Sequence, residues 1–355
     1  MNTTTSARNG TRRFLLAFGA IGAPLLAASG AAAEQSYAVN QAAPALDRWM
    51  YPFNPTPGIR PTISTFASTP GGTDFDVRDG QMLLRFDTGG TIPTGLGSGL
   101  YAVDSLRITV QFANDMVAIY DDTQDPWQCF TAEGDPNHVE DADPGQPVEL
   151  YGCGFRNGYS LQTFLENSPF TVSPNSPLTP GVRNAYAMGF GAEGQAMDVS
   201  NNVREQFDPT PWAIGTVDGL APGDPIPLYT FMTFEVNVSD PAVQSYLRAG
   251  LDSGRLMFAI TSMTAVVQQG GPFPSFYSKE NQLVPLGFAF PASIELQART
   301  GPFCATADLN CDGAVNGADL GVLIGNWGGS GTGDLNADGV VNGADLGVLI
   351  GGWTG

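Results

Sequence analysis

The sequence predicts a mainly β protein: an antiparallel, jelly-roll-like β-sandwich carrying one short helix, followed by a small α-helical module. Three observations lead there. Apolar residues alternate with polar ones over much of the chain, the period of a half-buried strand. Glycine (45) and proline (27) make up more than a fifth of the 355 residues, which suits many short strands joined by tight turns. Near the C-terminus a twelve-residue segment occurs twice, and each copy leads into the same helical apolar pattern.

The strands are read as follows. In Ser105 to Phe112, Leu106, Ile108, Val110 and Phe112 face one way and Arg107, Thr109 and Gln111 the other. Phe234, Val236 and Val238 repeat the pattern, as do Leu256, Phe258 and Ile260, and finally Ile294 and Leu296. One helix interrupts them. Asp240 is an N-cap residue, Pro241 fits the first helical position, Val243 and Leu247 are four apart, and Gly250 is the expected stop. The resulting organisation is an export signal over 1–33, an unstructured leader over 34–44, the β domain over 45–299, a linker over 300–307 and the repeat module over 308–355.

Three stretches of the β domain, in order, resemble a known family. They are Gln81 to Thr88 with Tyr101 to Phe112, then Phe231 to Ser262, then Phe276 to Asn281 with Ala292 to Gln297. Together they are similar to the DNRLRE-type β-sandwich, a carbohydrate-binding-like domain of secreted proteins. That resemblance implies a polysaccharide ligand.

The two repeats are Asp308 to Asp319 and Asp334 to Asp345, offset by 26 residues. Each places side-chain oxygens at positions 1, 3, 5, 9 and 12, with glycine at 6. A hard cation that takes six to eight oxygen ligands is wrapped by this spacing. Asp308, Asn310, Asp312, the Ala314 carbonyl, Asn316 and Asp319 would hold one calcium ion. Asp334, Asn336, Asp338, the Val340 carbonyl, Asn342 and Asp345 would hold a second. Gly313 and Gly339 supply the sharp turn. After each loop runs an apolar stripe, Leu320, Leu323, Ile324 and Trp327 in one copy and Leu346, Leu349, Ile350 and Trp353 in the other. Neither helix can hide its stripe alone, so the two are expected to pack together. A duplicated calcium loop with one helix per copy resembles a dockerin module. The resemblance implies docking to a cohesin-like scaffold or cell-surface component, through the positions of Gly317-Ala318 and Gly343-Ala344.

Composition narrows the setting. The formal net charge is −20, and residues 1–33 hold Arg8, Arg12 and Arg13 with no acid, so a processed chain carries 12 bases against 35 acids. Such a surface argues against nucleic acid and anionic membranes as partners. Arg8 to Arg13, the apolar run Phe14 to Ala28 and Ala31-Ala32-Ala33 read as a cleaved secretory signal, placing the protein outside the cell or at its surface. The apolar run of the signal, broken by Pro24, is too short for a membrane span, and no second hydrophobic stretch is seen. Four cysteines fit an oxidising destination; sequence allows three pairings, and the local one, Cys129 with Cys153 and Cys304 with Cys311, is expected. The first bridge would close a loop worth roughly 3 kcal/mol.

Candidate chemistry is sparse. The sole histidine, His138, lies in a polar loop, and with Asp135, Glu140, Asp141 and Asp143 offers a candidate additional metal site. Glu193 and Asp198 are the first carboxylate pair to inspect for glycoside hydrolysis, which needs two acids across a cleft. Aromatic rings stack on sugar faces, so Trp127, Trp212 and Trp49 are the candidate sugar contacts, Trp49 sharing a strand face with Tyr51 and Phe53. The expected function is that of a secreted, non-catalytic carbohydrate-binding protein docked through calcium. The alternative is a dockerin-bearing, polysaccharide-degrading O-glycosyl hydrolase.

Overall fold

The computed structural model describes residues 34–172, 179–191, 194–266, 273–301, 306–310 and 314–354. Residues 1–33, where an export signal is expected, and Glu193, Cys304, Cys311, Asp312 and Gly313 lie outside the described residues.

The protein is β-rich, with antiparallel sheets. In chain order the strands and helices are β1 (Gln35–Gln41), β2 (Leu46–Met50), β3 (Thr62–Ser64), β4 (Gln81–Asp87), β5 (Tyr101–Gln111), β6 (Val148–Phe155), β7 (Ala185–Phe190), β8 (Ala196–Asp198), α1 (Asn202–Glu205), β9 (Ala213–Ile214), β10 (Phe231–Glu235), α2 (Pro241–Ser253), β11 (Arg255–Ser262), β12 (Ser275–Tyr277), β13 (Ser293–Thr300), α3 (Gly317–Gly325) and α4 (Gly343–Gly351). Four strands form a sheet in the order β1-β13-β5-β10. A larger sheet runs β2-β4-β11-β6-β7-β8, with β9 also on β6, and β12 pairs with β3.

The four-stranded sheet shows the alternation plainly. Leu106, Ile108 and Val110 of β5 are buried beside Met232 and Phe234 of β10 and Ile294 and Leu296 of β13. On its other face Arg107 lies opposite both Glu235 and Glu295 in register and pairs with each. Residues from both large sheets share one hydrophobic core.

The larger sheet departs from simple alternation. β4, β6 and β11 are buried along nearly their whole length, because polar side chains and loops cover the second face. There Arg78 pairs with Glu149 and donates to Thr261 Oγ1 at 2.8 Å and Asn202 Oδ1 at 3.2 Å. Arg183 pairs with Asp76, which also accepts from Asn201 Nδ2 at 2.7 Å. Charges survive in such a place only when paired and hydrogen-bonded.

Two expectations are corrected. Residues 35–41 are not an unstructured leader: β1 pairs antiparallel with β13 from Gln35 opposite Thr300 to Gln41 opposite Ile294, burying Val39. The helix begins as expected, with Asp240 accepting from Ala242 N and Val243 N, but it passes Gly250 and ends at Gly254, whose φ is 78°. Gly250 has a packing role instead, since a Cβ there would lie 2.5 Å from Leu256 Cδ2 and 2.7 Å from the Arg255 carbonyl. Gln244 of α2 reaches both the N–H and C=O of Val103, and the Tyr246 hydroxyl donates to the Met257 carbonyl at 2.7 Å, fixing the helix across both sheets.

Candidate functional site

Each C-terminal repeat builds a loop and then a capped helix. Asn316 and Asn342 accept from Ala318 N and Ala344 N, both at 2.8 Å, while Asp319 and Asp345 accept back from Asn316 N and Asn342 N. These reciprocal bonds are a capping box, so positions 9 and 12 of the loop are also the start of the helix. Asp319 and Asp345 are buried, and the other oxygen of each accepts two further backbone N–H groups, Leu309 and Asn310 in one copy, Leu335 and Asn336 in the other. Burial pushes the Asp345 carboxyl up, but donors from Asn342, Asn336 and Leu335 outweigh it and hold the group below the usual range. With three of about four lone-pair directions used, each carboxylate has one left, on Oδ2, for anything else.

The second loop is open to solvent, and its donors are in sequence order. Asp334 Oδ2 accepts from Gly339 N at 2.8 Å, Asn336 Oδ1 from Asp338 N at 3.0 Å, and Asp338 Oδ1 from Val340 N at 3.0 Å. Gly339 turns the chain with φ of 92°. The donor set is all oxygen and fits a hard divalent cation by type and by order. Its three carboxylates, however, are not drawn together within 4.8 Å; among the described residues the two acidic groups that meet that spacing lie elsewhere. In the first loop Asp308 is buried, and its carboxylate acts on Arg248 of α2, whose guanidinium is pushed down by burial against the opposing pull of that charge. Asn310, Ala314 and Ala318 face Tyr246 and Ala249 of α2 across a crevice. The duplicated loops therefore have different surroundings.

The two copies complete one another. Val341 in the second loop exchanges backbone bonds with Gly328 and Gly329 after α3, and Val315 in the first bonds to Thr354 after α4. Leu323, Leu349, Val315 and Val341 form a small core with Ala307 and Leu309. The expected stripes are only half buried by this. Ile324 and Ile350 are exposed, as are Trp327 (51 %) and Trp353 (44 %), because the nine-residue helices end before the tryptophans turn inward.

Two groups of residues in the β domain are also corrected. Cys129 and Cys153 are both free and form no bridge. Cys153 is buried on β6 with the Tyr246 hydroxyl on its N–H, whereas Cys129 lies in the 3-10 turn Trp127–Phe130. Burial and the carboxylates of Asp141, Asp125 and Asp208 push the Cys129 thiol up to about 11. Trp212 is no sugar platform: it is 2 % exposed, stacked on Phe190 at 5.7 Å and edge-on to Tyr246 and Phe258. Trp49 is half-buried and stacks on Tyr51 at 4.8 Å, with Phe53 at the exposed end of the row.

Trp127 lines a cleft of about 650 Å3, opposite the loop 67–73. A small apolar cluster of Ala67, Val77 and Met263 with Phe130 and Val203 forms its floor. Its polar groups include Asp135, Gln146 and Arg204, but Arg204 is held by the carbonyls of Gly72, Asp74 and Phe75. Among the described residues Asp135 is the one carboxylate lining the cleft. Asp198 lies elsewhere, paired with Arg156 at 2.5 Å and accepting from Ser200 N. His138 bonds to Thr131 Oγ1 at 3.3 Å and belongs to neither acidic group of metal-binding spacing.

Those two groups are Asp47, Glu166 and Glu280, and Asp121, Asp125 and Asp143. Sequence spacing could not have found the first, whose members lie more than a hundred residues apart. The second lies in an acidic part of the sequence, and of the residues grouped with His138 only Asp143 belongs to it, meeting Asp121 and Asp125 instead of the histidine. Burial, with Asp141 and Asp121 beside it, pushes Asp125 up to about 8.

Comparison with known protein families and with curated proteins finds no match to this chain.

Proposed function

We propose that this is a secreted, non-catalytic protein in which a jelly-roll-like β-sandwich binds a polysaccharide and a dockerin-like module attaches it to a scaffold or cell surface. The doubled loop-and-helix unit carries the reading. In sequence each copy has Asp, Asn and Asp ahead of a helix that is capped, and the two copies share one small core. Asp308, Asn310, Asp312 and the Ala314 carbonyl would hold one calcium ion, with Asn316 and Asp319 closing the loop. Asp334, Asn336, Asp338 and the Val340 carbonyl would hold the other, closed by Asn342 and Asp345. Calcium would supply charge neutralisation and a fixed loop; the helices would then present Ile324, Trp327, Ile350 and Trp353 to a cohesin-like partner. The sandwich reading rests on two antiparallel sheets contributing to one core. Sugar binding is supported by Trp127 and Phe130 in a cleft of suitable size.

The cleft favours binding over hydrolysis, since glycoside hydrolysis uses two facing carboxylates and among the described residues Asp135 lines it without a second. Among the described residues no helix is long and apolar enough to cross a membrane. The test is a glycan array combined with reducing-sugar release, run with calcium and with chelator. Saturable retention lost in Trp127→Ala, with no sugar released, is expected. Turnover abolished by a single acidic substitution would instead establish an enzyme.

A further inference from the structure

Behind the cleft wall, carboxylate oxygens of Asp121, Asp125 and Asp143 all lie within 4.8 Å of one another. Two oxygens bound at about 2.4 Å to one calcium ion are at most about 4.8 Å apart, so this is the spacing of ligands to a shared ion. Crowded acids alone prove little; their unused oxygens say more. Asp121 is 1 % exposed and Asp125 9 %, and each has its Oδ2 buried with no hydrogen-bond partner. Asp143 Oδ1 is buried and unpartnered as well. The contacts these residues do make use the opposite oxygens: Asp121 Oδ1 accepts from Thr123 N at 2.8 Å and Oγ1 at 3.0 Å, and Asp143 Oδ2 from Thr123 Oγ1 at 3.2 Å. From the same loop Gln146 donates its Nε2 to Asp141 at 3.0 Å, leaving its own buried Oε1 unpartnered. Unsatisfied buried oxygens are costly, and here all but one belong to carboxyl groups.

The other acidic group shows how such a cluster is balanced from within. Asp47, Glu166 and Glu280 surround Lys279, whose Nζ is 2.8 Å from both Asp47 and Glu280 and also pairs with Glu166. No lysine or arginine among the described residues forms an ion pair with Asp121, Asp125 or Asp143.

We propose that Asp121, Asp125 and Asp143 form a calcium site in the β domain, separate from the C-terminal repeats. Three carboxylates supply hard oxygen donors and a formal charge of −3, and Gln146 offers a neutral oxygen from the same loop. That all-oxygen donor set suits calcium better than zinc, whose protein sites are built mainly on His nitrogen and Cys sulfur. Asp125 leads directly into the turn Trp127–Phe130, and Gln146 itself lines the cleft, so the ion would clamp the wall that presents Trp127. The competing arrangement is a proton shared between Asp125 and Asp141, which face each other.

The experiment uses the full chain, stripped with chelator, and counts calcium bound by isothermal titration in the parent and in Asp121→Asn/Asp125→Asn. The substitutions are isosteric and remove like charge, so in chelator the variant is expected to melt no lower than the parent. With calcium it should bind one ion fewer per chain and lose most of the calcium-induced rise in the main melting transition. Because the comparison is a difference, the number of ions held by the C-terminal loops cancels. Equal stoichiometry and an equal calcium shift would overturn the site and leave the shared proton as its occupant. Should the double variant fold poorly, Asp143→Asn reads out the same loss, at least tenfold weaker binding of one ion.

Discussion

Gly321 and Gly347 occupy the fifth position of the nine-residue helices α3 and α4, where glycine is the poorest residue after proline. A Cβ added at either would have nothing within 4 Å, so alanine carries no steric penalty in the fold as described. The expected gain is then the helix-propensity difference alone, about 1 kcal/mol per site. α3 and α4 share one core with the two loops, so they should open as one unit, and Gly321→Ala/Gly347→Ala should stabilise it by about 2 kcal/mol, a factor of roughly 30. Amide hydrogen exchange over 317–325 and 343–351 isolates the module from the larger core. Protection should rise about 30-fold in both helices in the double variant, and in both helices with either single change. A rise confined to the substituted helix would show that the copies are not interdependent. Unchanged or reduced protection would mean that the glycine faces are in contact and the helices are not placed as described. Gly250→Ala is the matched control: its Cβ would meet Leu256 Cδ2 at 2.5 Å, and overpacking there should cost about 1–3 kcal/mol.

Two further outcomes are expected in the β domain. Glu149→Leu strands the buried Arg78 guanidinium and should destabilise the protein by about 3–5 kcal/mol in denaturant, with Arg78→Met/Glu149→Leu recovering most of the loss; a single variant within 1 kcal/mol of the parent would remove the pair from the stability argument. Asp79 is buried, which pushes its carboxyl up to about 7 against the pull of Arg183 and with the help of Asp76. The folded state keeps this proton where the unfolded chain has lost it, so the stabilisation is complete below about pH 4 and disappears as pH rises to about 7. Asp79→Asn should therefore gain on the parent by up to about 4 kcal/mol between pH 4 and pH 8, and a constant difference across that range would refute the assignment.

Much of the fold is legible in local pattern. Alternation in β5, β10 and β13 reports one wet and one dry face, and Asp240-Pro241 marks the helix start because capping is a contact between near neighbours. β1 was less legible: its residues are mostly exposed, and its partner β13 is more than 250 residues away. The role of Gly250 is hidden for another reason: it is set by Leu256 of the following strand packing against the helix and not by the helix pattern itself.

For the sites the division is similar. The order of side-chain oxygens in each repeat, and the expectation that two copies pack together, follow from sequence, since loop spacing and helix caps are local. Only the tertiary structure decides that Val315 and Val341 bond across to the segment following the other copy's helix, that Trp212 is core while Trp127 is cleft wall, and that Cys129 and Cys153 stay apart. It also decides which of the many acids meet. Lys279 balances one group, and the other, Asp121 with Asp125 and Asp143, has unpartnered oxygens, because charge balance in a buried place depends on what the folded chain brings near it.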